Sequence, residues 1–124
     1  MTDVPSGENF SGDEEVTQYG RRDGTSFKNR PATGSALSAI RGRVSVEEAC
    51  RRVTGRRQAR PTDGVRVASV ETLLNSGFTV RATPSRMNDL HVSIEYSGDW
   101  DDTVSESFDR CFGDPVYGDE PSNG

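Results

Sequence analysis

Lysine is almost missing from this chain: Lys28 stands alone, and arginine supplies the other 14 of the 15 basic residues. Histidine and tryptophan also occur once each, as His91 and Trp100. One histidine with no second histidine and no paired cysteines makes a poor zinc site, so neither a metal nor a cofactor is expected. The glycines form neither GxGxxG nor GxxxxGK[ST], which excludes the two common phosphate-binding loops. Apolar residues are scarce at 31%, mean hydropathy is -0.75, and no run approaches the length of a membrane span. The N-terminus has no apolar stretch and its first charges are Asp3 and Glu8, so no signal peptide is expected and the cytoplasm is the expected location.

What the chain does have is charge, sorted by position. The net charge of -5 conceals five acids and no base in residues 1–20, a local +8 in residues 21–60, +1 in residues 61–86 and -9 in residues 87–124. Residues 1–15 and 113–124 are acidic and rich in Gly and Ser, and neither tail can bury enough to offset the entropy of ordering it. The expectation is one α+β domain over residues 16–112 between disordered acidic tails, small enough to have a modest core.

Hydrophobic periodicity gives that domain its parts. Phe78–Ala82 and His91–Tyr96 alternate at period two, with Phe78, Val80, Ala82, Val92, Ile94 and Tyr96 on the dry side. The connection through Pro84 suits an antiparallel return and is too short for a helical crossover. Ser45-Val46-Glu47-Glu48 is a capping box, opening a helix with Val46, Ala49, Cys50 and Val53 on its apolar stripe and Gly55 at its stop. Ser69 caps a second helix that ends at Gly77, and Asp101 or Asp102 a third carrying Val104, Phe108, Cys111 and Phe112, with Trp100 stapling its entry. Asp23-Gly24 between Val16–Tyr19 and Thr25–Phe27 signals a hairpin, while residues 36–44 fit a helical turn or an irregular strand equally well. Val65 and Val67 make a short strand-like step after the turn Arg60–Gly64. The architecture expected is a small antiparallel sheet with two to three helices packed on one face. Cys50 and Cys111 read as buried free thiols, or as a disulfide if their helices touch.

The polar side of the last strand holds the candidate chemistry. His91, Ser93 and Glu95 share it, and Arg81 lies across from them; His91 can serve as a general base and Arg81 as an anion or oxyanion clamp. A triad within the strand is excluded, because alternate residues stand nearly 7 Å apart. An ordinary solvated sheet face explains the same residues. Arg51, Arg52, Arg56 and Arg57 crowd the end of the first helix and, with the other bases of residues 21–60, make a phosphate-binding surface if they share a face; Tyr19 and Phe27 would then add stacking. Against that stand the acids of residues 87–124, which can neutralise the arginines within the molecule.

Arg30-Pro31, Ser35-Ala36-Leu37-Ser38, Val44-Ser45-Val46 and Asn88-Asp89-Leu90-His91-Val92-Ser93-Ile94 together resemble a pattern in small prokaryotic proteins, over about half the chain and with loose spacing. The resemblance implies no particular activity. It singles out Arg30, Ser35, Ser38, Asn88 and His91 as the polar residues to test first. Three functions follow as expectations. The first is a small interaction or accessory module binding a protein partner. The second is nucleic-acid or phosphate binding through residues 21–60. The third is a small toxin-like transferase or hydrolase acting on nucleotide or nucleic acid through His91, Arg81 and Arg30.

Overall fold

The computed structural model describes residues 10, 13–21, 27–31, 36–55, 58–86 and 88–118. They form an α+β fold: one open six-stranded antiparallel sheet and three helices. In chain order the elements are β1 (Glu15–Arg21), β2 (Ala36–Arg41), α1 (Val46–Thr54), β3 (Asp63–Ser69), α2 (Val70–Asn75), β4 (Phe78–Ala82), β5 (His91–Tyr96), α3 (Asp102–Arg110) and β6 (Val116–Tyr117). The strands lie in the order β4-β5-β2-β1-β3-β6.

Each helix starts where the sequence places a cap. The Ser45 hydroxyl accepts from Glu48 N, Ser69 from Thr72 N and the Asp101 carboxylate from Val104 N, so each satisfies a backbone donor that has no partner within its helix. Gly55 ends α1 at φ 82° and Gly77 follows α2 at φ 95°, a left-handed backbone that glycine adopts without steric cost.

The two faces of the sheet are unlike. One carries Val16, Leu37, Ala39, Ala68, Phe78, Val80, Val92 and Ile94, covered by Val70 and Leu73 of α2 and by Val104, Phe108 and Cys111 around α3. Phe78, Tyr96, Trp100 and Phe108 form an aromatic knot there, with Phe78–Trp100 and Trp100–Phe108 ring centroids 5.2 and 5.5 Å apart. The Trp100 indole N–H donates to Asn29 O at 2.7 Å and ties residues 27–31 to the same side. The opposite face is covered at one end only. There α1 lays Ala49 and Val46 on Ile40, Val65 and Tyr19. Two helices thus share the dry face, and the third sits behind it.

Several expectations change. β1 pairs with β2 through Val16 and Thr17 and, over all seven of its residues, with β3. The hairpin expected around Asp23-Gly24 lies outside the described residues apart from Phe27, which covers Gly20, where a Cβ would meet its ring at 2.5 Å. The ambiguous segment is a strand, β2. The step at Val65 and Val67 is part of a seven-residue strand, β3. Val53 is exposed, so the buried stripe of α1 stops at Cys50. Both cysteines are buried and free; Cys50 belongs to the α1 side of the sheet and Cys111 to the α3 side, which rules out the disulfide. The described structure also includes residues on either side of 16–112. Glu14 and Glu15 pair with Arg41 and Arg43, and β6 adds to the outer edge of β3.

Candidate functional site

Because α1 covers only the β1–β3 end, the rear face of β2, β5 and β4 is left open by the described residues. Alternation puts Ser38, His91, Ser93, Glu95, Thr79 and Arg81 on it, and the β2–β5 register sets Ser38 opposite Ser93 and Ile40 opposite His91. Arg81 lies opposite Ser93 on the other flank.

His91 is the hub of this face. Its Nδ1 lies 3.1 Å from Thr83 O and 2.7 Å from Thr83 Oγ1, and its Nε2 lies 3.0 Å from Ser38 Oγ. A carbonyl can only accept, so the network assigns the proton to Nδ1 and leaves Nε2 to accept from the Ser38 hydroxyl. Thr83 Oγ1 continues the chain to Ser93 Oγ at 3.0 Å. Ser38 is exposed, while His91, Thr83 and Ser93 are half-buried. A hydroxyl held against an oriented imidazole has the local form of a nucleophile and its base. The proposed clamp is engaged elsewhere: Arg81 pairs with Glu95 at 2.5 Å on the same face.

Asn88 builds the turn that delivers β5. It is buried; its Oδ1 accepts from Leu90 N and from Arg52 Nη1, and its carbonyl accepts from His91 N at 3.2 Å. Arg52 also bonds Asp89 and Glu48, which holds its own pKa up and draws that of Asp89 down. Arg51 is exposed near Glu48, at 3.9 Å. Arg30 is not part of the face, because it pairs with Asp102 on α3, across the sheet. Ser35, Arg56 and Arg57 lie outside the described residues. So the fold brings Ser38, Arg81, His91, Ser93 and Glu95 together, sets Asn88 and Arg52 beside them, and sends Arg30 elsewhere.

Two features escape a reading of the sequence. Asp63 is wholly buried behind β1: its Oδ1 accepts from the Tyr19 hydroxyl at 2.5 Å, its Oδ2 from Arg60 N at 2.7 Å, and Cys50 Sγ lies 3.6 Å from Oδ2. Arg66 is buried on the dry face, with Nε donating to Gln18 Oε1 at 2.7 Å, Nη2 3.0 Å from Asp109 and its guanidinium 4.5 Å from the Phe112 ring centroid. Burial pulls its pKa down and Asp109 pulls it back up. A shallow groove of about 700 Å³ also opens between the start of α1, β3 and residues 113–118, floored by Val44, Val46, Val65 and Val67.

Eight described arginines (Arg30, Arg41, Arg43, Arg51, Arg52, Arg60, Arg66 and Arg81) have a carboxylate of the same chain within 4.0 Å. Tyr19 and Phe27, offered for stacking, pack inside the fold instead. Among the described residues no group of three or more His, Cys, Asp or Glu could hold a metal ion, and no helix is long and apolar enough to cross a membrane. The chain matches no protein-family model, no curated protein and no solved structure.

Proposed function

We propose that the chain is a small interaction module that recognises a protein partner through the open rear face of β2, β5 and β4. The observation that carries this reading is the pairing of the arginines. Acids of residues 87–124 and Glu14 and Glu15 pair with Arg30, Arg41, Arg43 and Arg52 inside the molecule, which lowers the positive charge that these described bases offer a phosphate backbone. What stays open is a hydrogen-bonding surface with both charge signs, Arg81 and Glu95, beside exposed Ser38: the character of a partner-binding rim. Two buried free thiols suit a reducing compartment, the cytoplasm.

A photo-crosslinking residue at Ser93, compared with one at Glu106 on α3, tests this in cells of the source organism. A discrete adduct from position 93 that is lost on Arg81→Glu is expected; no adduct there, or equal adducts at both positions, overturns the proposal. A gel shift at low and at raised salt separates the nucleic-acid reading, for which no shift at either is expected. The Ser38–His91 contact favours one second reading, a hydrolase or transferase. It requires His91→Ala to abolish a phenotype while the melt stays within about two degrees, and an unchanged phenotype removes it.

A further inference from the structure

We propose that the free edge of β4 takes the β4 of a second copy, antiparallel and centred on Val80, joining two sheets into one. This goes beyond the partner-binding reading and does not depend on it. Among the described residues β4 ends the sheet, with β5 on one side only. Thr83 N donates to His91 O, and in the β4–β5 register this makes Thr83/His91, Arg81/Ser93 and Thr79/Glu95 the hydrogen-bonded pairs. The N–H and C=O groups of Phe78, Val80 and Ala82 therefore point outward, an unpaired row of the kind that templates strand addition.

The flanks of β4 fix which pairing is available. Gly77 and α2 close one end, and Pro84, without an N–H, closes the other. Centring on Val80 sets Val80 against its own copy and Phe78 against Ala82, so all three outward residues pair. Shifting by two in one direction brings Pro84 into the ladder, and in the other brings the α2 cap. On the dry side the Val80-centred pairing sets a large side chain, Phe78, against a small one, Ala82. On the polar side it sets Arg81 against Thr79, whose neighbour across the sheet is Glu95. The row then runs Glu95, Thr79, Arg81, Ser93 across the two chains, with no like charges adjacent. Nothing in β4 supplies the usual guards of an edge, an inward charge, a bulge or a proline within the strand. Two five-residue strands bury less than a standard interface, so the association is weak, with a Kd on the order of 100 µM.

Sedimentation equilibrium of the purified full chain up to about 1 mM reads the association directly. A monomer–dimer equilibrium is expected. Ala82→Pro removes an outward N–H at an exposed position and leaves the β4–β5 ladder intact; Thr79→Arg sets like charges across the joint while gaining Glu95 within its own chain. Each is expected to weaken association at least about tenfold with the monomer's melt nearly unchanged, whereas Glu106→Arg on α3 leaves it unaltered. A chain carrying Thr79→Cys mixed with one carrying Arg81→Cys is expected to form a disulfide-linked pair that neither forms alone. A protein that stays monomeric throughout overturns the proposal, as does a dimer indifferent to both edge variants.

Discussion

Replacing Asp63 with alanine removes the acceptor on which β1, the residues before β3 and α1 converge. The carboxylate is fully buried, takes the Tyr19 hydroxyl at 2.5 Å and Arg60 N at 2.7 Å, and sits 3.6 Å from the Cys50 thiol. A hydrogen bond to a charged group contributes about 1.5–3 kcal/mol, and truncation takes the acceptor from two part-buried donors, the Tyr19 hydroxyl and Arg60 N–H, so Asp63→Ala should cost about 3–5 kcal/mol. Tyr19→Phe removes one of these bonds and should cost about 1.5–3 kcal/mol. The double variant should cost less than the sum of the two, with a coupling of about 1–2 kcal/mol. Urea melts of the four proteins measure these values, given that the m-value stays constant. Amide spectra should show the largest changes in α1 and in the β1–β3 ladder, with β4 and β5 little altered. A loss below about 1 kcal/mol for Asp63→Ala, or strict additivity, would refute the view that this carboxylate joins the α1 side of the sheet.

Three further outcomes follow from the same geometry. Arg43 holds the Glu15 carboxylate below its ordinary pKa, chiefly through their hydrogen bonds, so that pair stabilises the fold fully above the usual carboxylate range and stops doing so as pH falls through the lowered folded-state value; the melting difference between the wild type and Arg43→Met should therefore be full at neutral pH and shrink as pH falls below the usual carboxylate range. Burial pushes the Cys111 thiol up and the sheet separates it from Cys50, so alkylation at pH 8 should modify neither thiol in the native protein and both in urea; rapid native labelling of Cys111 would contradict its placement. A Cβ on Gly64 would lie 2.5 Å from the Tyr117 ring and 2.9 Å from Val116 O, so Gly64→Ala should cost about 1–3 kcal/mol and raise hydrogen exchange in residues 112–118 first.

The parts of the fold legible in the sequence are those fixed by neighbours in the chain. Ser45, Ser69 and Asp101 announce their helices because a cap needs only the next three residues. β4 and β5 announce themselves because one face of each is dry and the other is not. β2 does not, for a physical reason: Leu37 and Ala39 face one core while Ile40 faces the other, so a strand buried on both sides loses its alternation and its Leu37–Ile40 spacing mimics a helix. Asp63 passed for a turn residue because Tyr19, which explains it, is 44 positions away. The candidate site divides along the same line. Parity alone put His91, Ser93, Glu95 and Arg81 on one face; the Ser38–His91 contact needed the β2–β5 register, and nothing local to Arg30 revealed Asp102.

The sorting of charge along the chain is best understood as an assembly rule. Blocks of +8 and -9 would repel within themselves, yet each is a surplus only in sequence. The fold sets them against each other: Arg52 meets Asp89 and Arg30 meets Asp102, while Arg66, from the nearly neutral stretch between them, meets Asp109 on the dry face. The exposed pairs each contribute little. Their joint effect is on what the surface presents, since a paired arginine offers a partner a mixed, oriented patch rather than a positive field. If the chain binds a protein partner as proposed, high salt should therefore alter that binding far less than it alters binding to nucleic acid, where each neutralised phosphate adds close to one unit to the logarithmic salt slope. A slope near zero for the partner captured at Ser93 would agree with recognition by the open face of β2, β5 and β4. A slope steeper than about -3 would mean that the pairs open on binding and that arginine charge drives it.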